Sequence, residues 1–330
     1  MNNKRWLALG IAAILLVLSL GFRFMSSLFT TDVESMLETT QKKYQEEVIE
    51  KGSGNKIAIL ELNGVIQNTS TSSLLNSSGY NHERFLEKLE HAGKDESVDG
   101  VILRVNTPGG GVVESDEIHD KVVELQEDYD KPVYVSMGNT AASGGYYVSA
   151  PADKIVAHPA TLTGSIGVIM ESFNFAELAD EYGVEFNTIK SGEFKDIMSQ
   201  SRKMTEEEHK ILQRMVDDMY ADFVDVIVKG RDMSESKVRE LGDGRVYTGE
   251  QAAENGLVDA TGSKDDTIAM MKKDFDWSNA KVVEYKSGFE LNQFLGSTVK
   301  SMFGKETDLI DMKELLRQSE GPRAMYLYSK

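Results

Sequence analysis

The stretch Thr140-Ala-Ala-Ser143-Gly-Gly-Tyr-Tyr-Val-Ser149 lies between two strand-like apolar runs, Pro132-Val-Tyr-Val-Ser-Met137 and Lys154-Ile-Val-Ala157. A strand that ends near Gly138 and continues into small residues, a serine and two glycines describes a tight strand-to-helix junction whose backbone another chain can approach. The first N–H groups of such a helix have no internal partner. Ser143 is therefore expected beside free donors at the positive end of a helix dipole, surroundings that suit an alkoxide or an oxyanion. The same small residues would also let a helix cross a sheet closely with no chemistry involved.

A second junction precedes it. Val101-Ile-Leu-Arg-Val-Asn-Thr-Pro108-Gly-Gly-Gly111 runs from a buried-type strand into the amphipathic segment 112–126, and Gly110 stands 33 residues before Ser143. Three glycines at the mouth of a helix expose consecutive N–H groups, the construction of an oxyanion or phosphate site. Neither loop ends in Gly-Lys-Ser/Thr or forms Gly-x-Gly-x-x-Gly with a ribose-binding acid downstream, so a nucleotide role is poorly supported and acyl chemistry fits better.

Outward from these loops, strands and helices alternate. Strands are expected at 57–62, 100–106, 133–137, 154–157, 184–189 and 281–285, and helices at 82–91, 112–126, after Ser143, and at 206–228, with shorter elements at 175–182, 234–241, 251–255 and 265–273. This order implies an α/β fold with parallel strands and helical crossovers. Residues 68–78, rich in Ser, Thr and Asn, read as a loop, and no segment repeats at a fixed period.

With 330 residues, 40% of them hydrophobic, the chain can bury a substantial core, and its net charge of −18 argues against a nucleic-acid partner. The absence of cysteine removes disulfides, thiol catalysis and thiolate metal sites. No metal or cofactor is expected.

At the N-terminus Lys4-Arg5 precede seventeen uncharged, mainly apolar residues, Trp6 to Phe22, followed by Arg23-Phe-Met25. A helix of that length spans about 25 Å, enough for a thin bilayer with Arg23 reaching outward. Bulky residues continue where a signal-peptide cleavage site would need small ones, which favours an uncleaved anchor over 6–25. Lys4-Arg5 and the free amine make residues 1–5 a cytoplasmic tip, so all that follows the anchor is expected outside the cytoplasm of a single-pass membrane protein. Residues 26–55 read as a polar, helical stalk closed by Gly52-Ser-Gly-Asn55, residues 56–290 as the globular domain, and 291–330 as an amphipathic extension and tail.

A serine nucleophile needs a base. His82, His91, His119 and His209 fall in or beside charged helical stretches and look solvated, while His158 follows a strand without a matching acid, so a Ser-His-Asp triad is a weak proposal. After 184–189 comes Lys190-Ser-Gly-Glu-Phe-Lys195-Asp-Ile-Met-Ser199, a polar loop with two lysines. Residue chemistry alone leaves both open, each first of all a surface lysine.

Taken together, Asn106-Thr-Pro-Gly-Gly-Gly111, Met137-Gly-Asn-Thr-Ala-Ala-Ser-Gly-Gly-Tyr146, Leu162-Thr-Gly-Ser-Ile-Gly-Val168 and Ser191-Gly-Glu-Phe-Lys-Asp196 closely resemble the signal peptide peptidase A family in its short, single-domain bacterial form. The resemblance runs from the anchor to the C-terminus. It implies the spiral ββα fold of Clp protease and crotonases, and a serine/lysine peptidase of the outer membrane face that degrades remnant signal peptides and similar apolar peptides. By motif position it implies Ser143 as nucleophile, Lys195 as general base, Gly110 as an oxyanion donor and Ser165 as the hydroxyl that orients the lysine; Gly144 is a further candidate donor. Lys190 falls outside the family's catalytic position. A lysine is protonated at neutral pH, so desolvation must remove that proton before Lys195 can act as a base. Asp196 would oppose this if it turned toward Lys195, and is expected to point away. In double-length relatives the serine and the lysine lie in different halves of one chain, which implies a ring-shaped homo-oligomer with sites shared between subunits. A crotonase-type acyl-CoA enzyme and a non-catalytic membrane scaffold are the alternatives.

The C-terminus, Ser319-Glu-Gly-Pro-Arg-Ala-Met-Tyr-Leu-Tyr-Ser-Lys330, follows an amphipathic stretch at 309–316, and Gly321-Pro322 ends any helix there. Its small, apolar and aromatic residues suit an extended strand. That strand is either an edge or frayed tail, or a peptide laid across the groove beside Ser143 by strand addition.

Overall fold

The computed structural model describes residues 44–68, 80–287 and 324–328. The expected anchor at 6–25, the stalk as far as residue 43 and the stretch at 309–316 lie outside them. No helix among the described residues is long and apolar enough to cross a membrane. The main compact unit comprises Glu46–Tyr285 with the C-terminal strand, and Tyr44, Gln45, Lys286 and Ser287 fall in a second unit.

The main sheet is built on parallel pairs. Strands β1 (Tyr44–Glu50), β2 (Lys56–Asn63), β3 (Gly100–Thr107), β5 (Val133–Ala142), β6 (Lys154–Ala157), β10 (Ala260–Thr261) and β11 (Lys281–Ser287) stand in the order β1-β11-β2-β3-β5-β6-β10. The pairs β11·β2, β2·β3, β3·β5, β5·β6 and β6·β10 are all parallel. Strand β2 reads Lys-Ile-Ala-Ile-Leu-Glu-Leu-Asn and is buried at nearly every position, the continuous apolar run of a sheet covered on both faces. Ile57 and Ile59 join Ile102, Tyr134 and Val282 in a cluster with Ile268 and Met271 of helix α8 (Lys264–Asp274). The intervening Ala58 and Leu60 point to the other face, toward helix α1 (His82–Lys94), with helix α2 (Val112–Glu127) beside it.

Strand β5 changes partner halfway. Tyr134 to Ser136 pair with β6, whereas Thr140 to Ala142 pair with β7 (Leu162–Gly164), which pairs antiparallel with β9 (Val246–Thr248). Against β3 the register moves from Val105↔Met137 to Thr107↔Ala141, so Gly138-Asn139-Thr140 bulge opposite the single residue Asn106. Past the bulge the end of β5 stays paired with β3 and gains β7 within the same sheet, and helix α3 (Gly144–Tyr147) follows it directly.

The remaining helices are α4 (Ala176–Glu181), α5 (Glu206–Arg231), α6 (Glu235–Leu241) and α7 (Gly249–Asn255). Two expectations are corrected. The helical spacing read into the stalk gives way to strand β1 at Tyr44–Glu50, because sheet edge pairing outweighs a weakly apolar helical face. The strand expected at 184–189 has no partner strand among the described residues: Val184 N turns back to Ala179 O (2.9 Å), and Val184, Phe186 and Ile189 are exposed.

Helix α5 meets the end of the Ser143 segment backbone to backbone. A Cβ on Gly230 would stand 2.2 Å from Ala150 O. Helix propensity favours alanine over glycine by about 1 kcal/mol, but overpacking against immovable backbone costs about 1–3 kcal/mol. With the clash this close, Gly230→Ala is expected to lower stability by a net ~1–2 kcal/mol in urea denaturation. A stabilised variant would show that the contact is looser than described.

Candidate active site

Ser143 stands at the turn between β5 and α3 with φ 54° and ψ −116°. A serine in this region carries strain on the order of 1–3 kcal/mol, which surrounding structure must over-determine. Its N–H donates to Gly164 O (2.8 Å), and its carbonyl accepts from Tyr146 N and Tyr147 N (2.8 and 2.9 Å). Below it, two buried threonines fasten the strand: Thr161 Oγ1 donates to Gly138 O (2.6 Å) and Thr163 Oγ1 to Ala141 O (2.7 Å). Asn106 fills the bulge, its Oδ1 accepting from Asn139 N and Thr140 N.

The glycine run forms strand β4 (Gly109–Gly111) beside this turn. On one edge Ile66 N donates to Gly109 O (2.9 Å) and Gly111 N to Ile66 O (2.8 Å). Within it, Thr107 Oγ1 accepts from Gly109 N (3.0 Å), and Ser115 Oγ of α2 donates to Gly111 O (2.8 Å). Gly109 has φ +97°, and a Cβ there would meet Tyr326 O at 2.0 Å and Gly144 N at 2.6 Å. A Cβ on Gly144 would meet Ser115 Oγ at 2.6 Å and Gly110 N at 3.2 Å. The two glycine loops separated in sequence therefore face each other, with Gly110 N and the Gly144 backbone within a few ångströms.

The other edge of β4 is occupied by the C-terminus. Strand β12 (Ala324–Leu327) runs antiparallel between β4 and β8 (Ile169–Met170), with Met325, Tyr326 and Leu327 opposite Gly111, Gly110 and Gly109. Tyr328 N donates to Pro108 O (2.8 Å). The two-residue alternation of an antiparallel ladder makes Tyr326–Gly110 the next hydrogen-bonded pair. Of the two readings of the tail, a frayed end is not what the described residues show: the strand is added between β8 and β4, the glycine strand that faces the Ser143 turn. The Tyr326 ring is 1% exposed, stacked on Tyr147 (4.9 Å between centroids) and tilted against Phe223 of α5 (4.7 Å); its hydroxyl donates to Met219 O (3.0 Å). Burial pushes the Tyr326 phenol well above its ordinary pKa, so it remains a donor. Tyr147 is braced from behind by donating to Asp116 Oδ1 (2.7 Å).

Ser143 is 1% exposed, and its Oγ makes no hydrogen bond among the described residues. Ser165 follows Gly164, the residue that accepts the Ser143 N–H; it has φ 51°, and its own N–H donates to Arg245 O (2.8 Å). Lys195 is not brought to Ser143 within the described chain: it is exposed, and its Nζ makes no hydrogen bond or ion pair there. Lys190 is held instead by Glu193 O and Asp196 Oδ1, both at 2.7 Å. Asp196 points toward Lys190 and Arg202, and hydrogen bonds from Arg202 and then Lys190 hold its carboxyl well below the usual range.

The histidine reading needs one correction. His82 is buried, with Tyr80 Oη and Glu117 Oε2 each 2.6 Å from a ring nitrogen, because these partners replace the water expected around a residue in a charged helix. His158 is exposed and accepts from Ala160 N (3.1 Å). No histidine among the described residues bonds Ser143. Sequence reasoning gave no role to Asn106, Thr163 and Ser115, the residues that hold the loops: the first two lie inside the quoted motifs, which marked them only as motif members, and Ser115 carried no local signal.

A strained, buried serine on a strand-to-helix turn, facing a glycine strand in a parallel α/β body, is the arrangement of a serine hydrolase. Comparisons with known proteins narrow the class. Residues 126–278 match the family model for Peptidase family S49. The chain is 41% identical over 346 residues to a candidate signal peptide peptidase SppA of Enterococcus faecium, with 99% of each chain covered. It is 32% identical over 278 residues to the chloroplastic serine protease SPPA of Arabidopsis thaliana, covering 83% of this chain and 41% of that one. A mutant ClpP1 from Listeria monocytogenes aligns with a TM-score of 0.41 and 16% identity over 64% of this chain and 94% of that one. The chain belongs to peptidase family S49 and is a serine protease.

The tail gives a direct test of the groove. A tether holds such a peptide at roughly 1 mM, so a tail binding with a dissociation constant of about 0.1 mM would block the site roughly tenfold. Deleting residues 324–330 is expected to speed labelling of Ser143 by a serine-directed acylating probe by about that factor. An unchanged labelling rate would mean that the tail does not restrict access.

Proposed function

We propose that this protein is a membrane-anchored endopeptidase that degrades remnant signal peptides and similar apolar peptides with a Ser143/Lys195 dyad. The observation that carries this reading is the C-terminal strand: an extended apolar segment is held by backbone pairing on both edges, between β4 and β8, with an aromatic side chain in a closed aromatic pocket beside Ser143. An unfolded apolar peptide presents the same features, whereas a folded protein cannot offer a free strand on both edges.

In this reading Ser143 Oγ attacks the peptide carbonyl and passes its proton to Lys195 Nζ. The N–H groups of Gly110 and Gly144 receive the oxyanion, and Ser165 orients the lysine. The leaving amine takes the proton from Lys195 as the C–N bond breaks. Water, deprotonated by the same lysine, then releases the acyl group from Ser143. The strained Ser143 backbone holds the hydroxyl toward the groove before substrate arrives, which lowers the cost of orientation.

Lys195 reaches Ser143 from a neighbouring subunit in this proposal. Two observations support that: its ammonium is exposed and unpartnered in the described chain, and the flanking run exposes Phe173, Leu178, Tyr182, Val184, Phe186 and Ile189. Apolar exposure on this scale fits an interface. Head-to-tail contacts of this kind close into a ring when the rotation between subunits permits. The apolar segment at 6–25 would set the ring on the membrane, N-terminus in the cytoplasm and catalytic domain outside.

Two measurements test the assignment. Hydrolysis should rise with pH as the Lys195 ammonium is lost, and Lys195→Arg should be nearly as inactive as Lys195→Ala because a guanidinium keeps its proton. Mixing Ser143→Ala chains with Lys195→Ala chains, each silent alone, should restore activity. Silence of well-mixed hybrids would place the dyad in one chain, and an active Lys195→Arg protein would remove Lys195 from it.

A further inference from the structure

The segment that carries Lys195 has little apolar anchorage. Residues 184–200 form no helix or strand, and turn bonds such as Lys195 N to Gly192 O (3.2 Å) and Ser199 N to Asp196 O (3.0 Å) are local. Besides the contact of the Phe186 ring with Phe175 (5.8 Å) and the bonds from Phe175 N to Gln200 O and Val184 N to Ala179 O (both 2.9 Å), one side chain, that of Arg202, ties it to helix α5. Arg202 Nε and Nη2 fork onto the two carboxylate oxygens of Asp196 (2.9 and 2.7 Å), and Nη2 also reaches Asp196 O (3.1 Å). Its Nη1 donates to Glu208 Oε2 (2.8 Å) and Lys203 O (3.1 Å), and its Nη2 also donates to Glu208 Oε1.

Glu208 is itself locked. It is buried in the first turn of α5, accepts from Thr205 N (2.9 Å), and its own N–H donates to Thr205 Oγ1, closing a capping box. The Arg202 bonds and those from Thr205 bring the Glu208 carboxyl down to about 2. Both carboxylates of the clamp therefore stay ionised wherever a protease of this kind works. Helix α5, in turn, contributes Phe223 and Met219 O to the pocket around Tyr326, and packs Gly230 on Ala150. The same helix thus serves both the peptide groove and the Arg202 clamp.

We infer that Arg202 is a positioning residue for the peptidase reaction, fixing the Lys195 segment by clamping the adjacent Asp196 to the capping box of α5. The inference rests on the reading of Lys195 as the base. The clamp does two things at once. It sets the backbone from which Lys195 projects, and it neutralises a carboxylate one residue away that would otherwise favour the charged lysine. A planar fork suits the task because one guanidinium spans two carboxylates with fixed geometry, which an ammonium cannot do.

The charged groups around this segment are Glu185, Lys190, Glu193, Lys195 and Asp196 on the segment itself, Arg202 and Lys203 after it, Glu177 of α4, which pairs with Lys203, and Glu208 of α5. The test is kcat and KM for a fluorogenic apolar peptide, measured across pH with the full-length protein in detergent. Arg202→Met is expected to lower kcat by roughly 100-fold with KM within about twofold, as a displaced base on an intact groove requires. It should also move the rising limb of the pH profile to higher pH, because the released Asp196 carboxylate stabilises the lysine cation. Adding Asp196→Asn should return that limb to its original position while kcat stays low. Arg202→Lys should leave the limb in place and still lose roughly tenfold in kcat, since charge survives but the fork does not. If Arg202→Met does not fold, Arg202→Lys decides the matter alone. A kcat within twofold of the parent in every folded Arg202 variant, or a limb that does not move in a folded Arg202→Met protein, would overturn the inference while Lys195→Ala remains inactive. An active Lys195→Ala protein would instead overturn the base assignment, so the two failures are told apart.

Discussion

Ser143 is held in a backbone conformation that a serine does not choose. Three features hold it there: the bond from its N–H to Gly164 O, the carbonyl capped by Tyr146 N and Tyr147 N, and Cβ-free neighbours that let β4 approach. Each comes from a different part of the chain. The partner switch of β5 from β6 to β7 brings Gly164 to the serine, and Asn106 Oδ1 holds the bulge at which the switch occurs by accepting from Asn139 N and Thr140 N.

Strand β4 shows the complementary constraint. Three residues cannot form a stable strand alone, and this one is a hydrogen-bonded bridge between Ile66 on one side and β12 on the other. Glycine is what allows both approaches at once, since a Cβ on Gly110 would lie 1.8 Å from Ile66 O and one on Gly109 would strike Tyr326 O. The free edge of β4 is thus built to receive a backbone. The chain's own tail satisfies it, with the Tyr326 ring packed against Tyr147 and Phe223.

Charge is arranged differently from apolar contact. The body of the protein is closed by a conventional parallel-sheet core, whereas the run from Ile169 to Ile189 exposes large apolar side chains, and the segment after it is tied down by ion pairs among Lys190, Asp196, Arg202 and Glu208. Exposed ion pairs are individually weak. Here they form a network with one buried member and bidentate geometry, the circumstance in which such pairs hold position.

The sequence alone determined the parallel α/β class, because apolar runs alternating with amphipathic segments leave few other ways to bury both sheet faces. It also determined the two glycine loops and Ser143 at the head of the second, since only small residues and glycine tolerate so close an approach of two backbones, and the four motifs around them pointed to the family. What it could not determine was which backbone would fill the free edge of β4, that His82 would be buried, or that 184–189 would find no partner strand. The first two outcomes depend on pairing between residues far apart in the chain: Tyr326 with Gly110 and His82 with Glu117. Local pattern records what a segment prefers, but a hydrogen-bond edge or a fork of donors is filled by whatever the folded chain brings within 3 Å of it, and only the tertiary structure decides that.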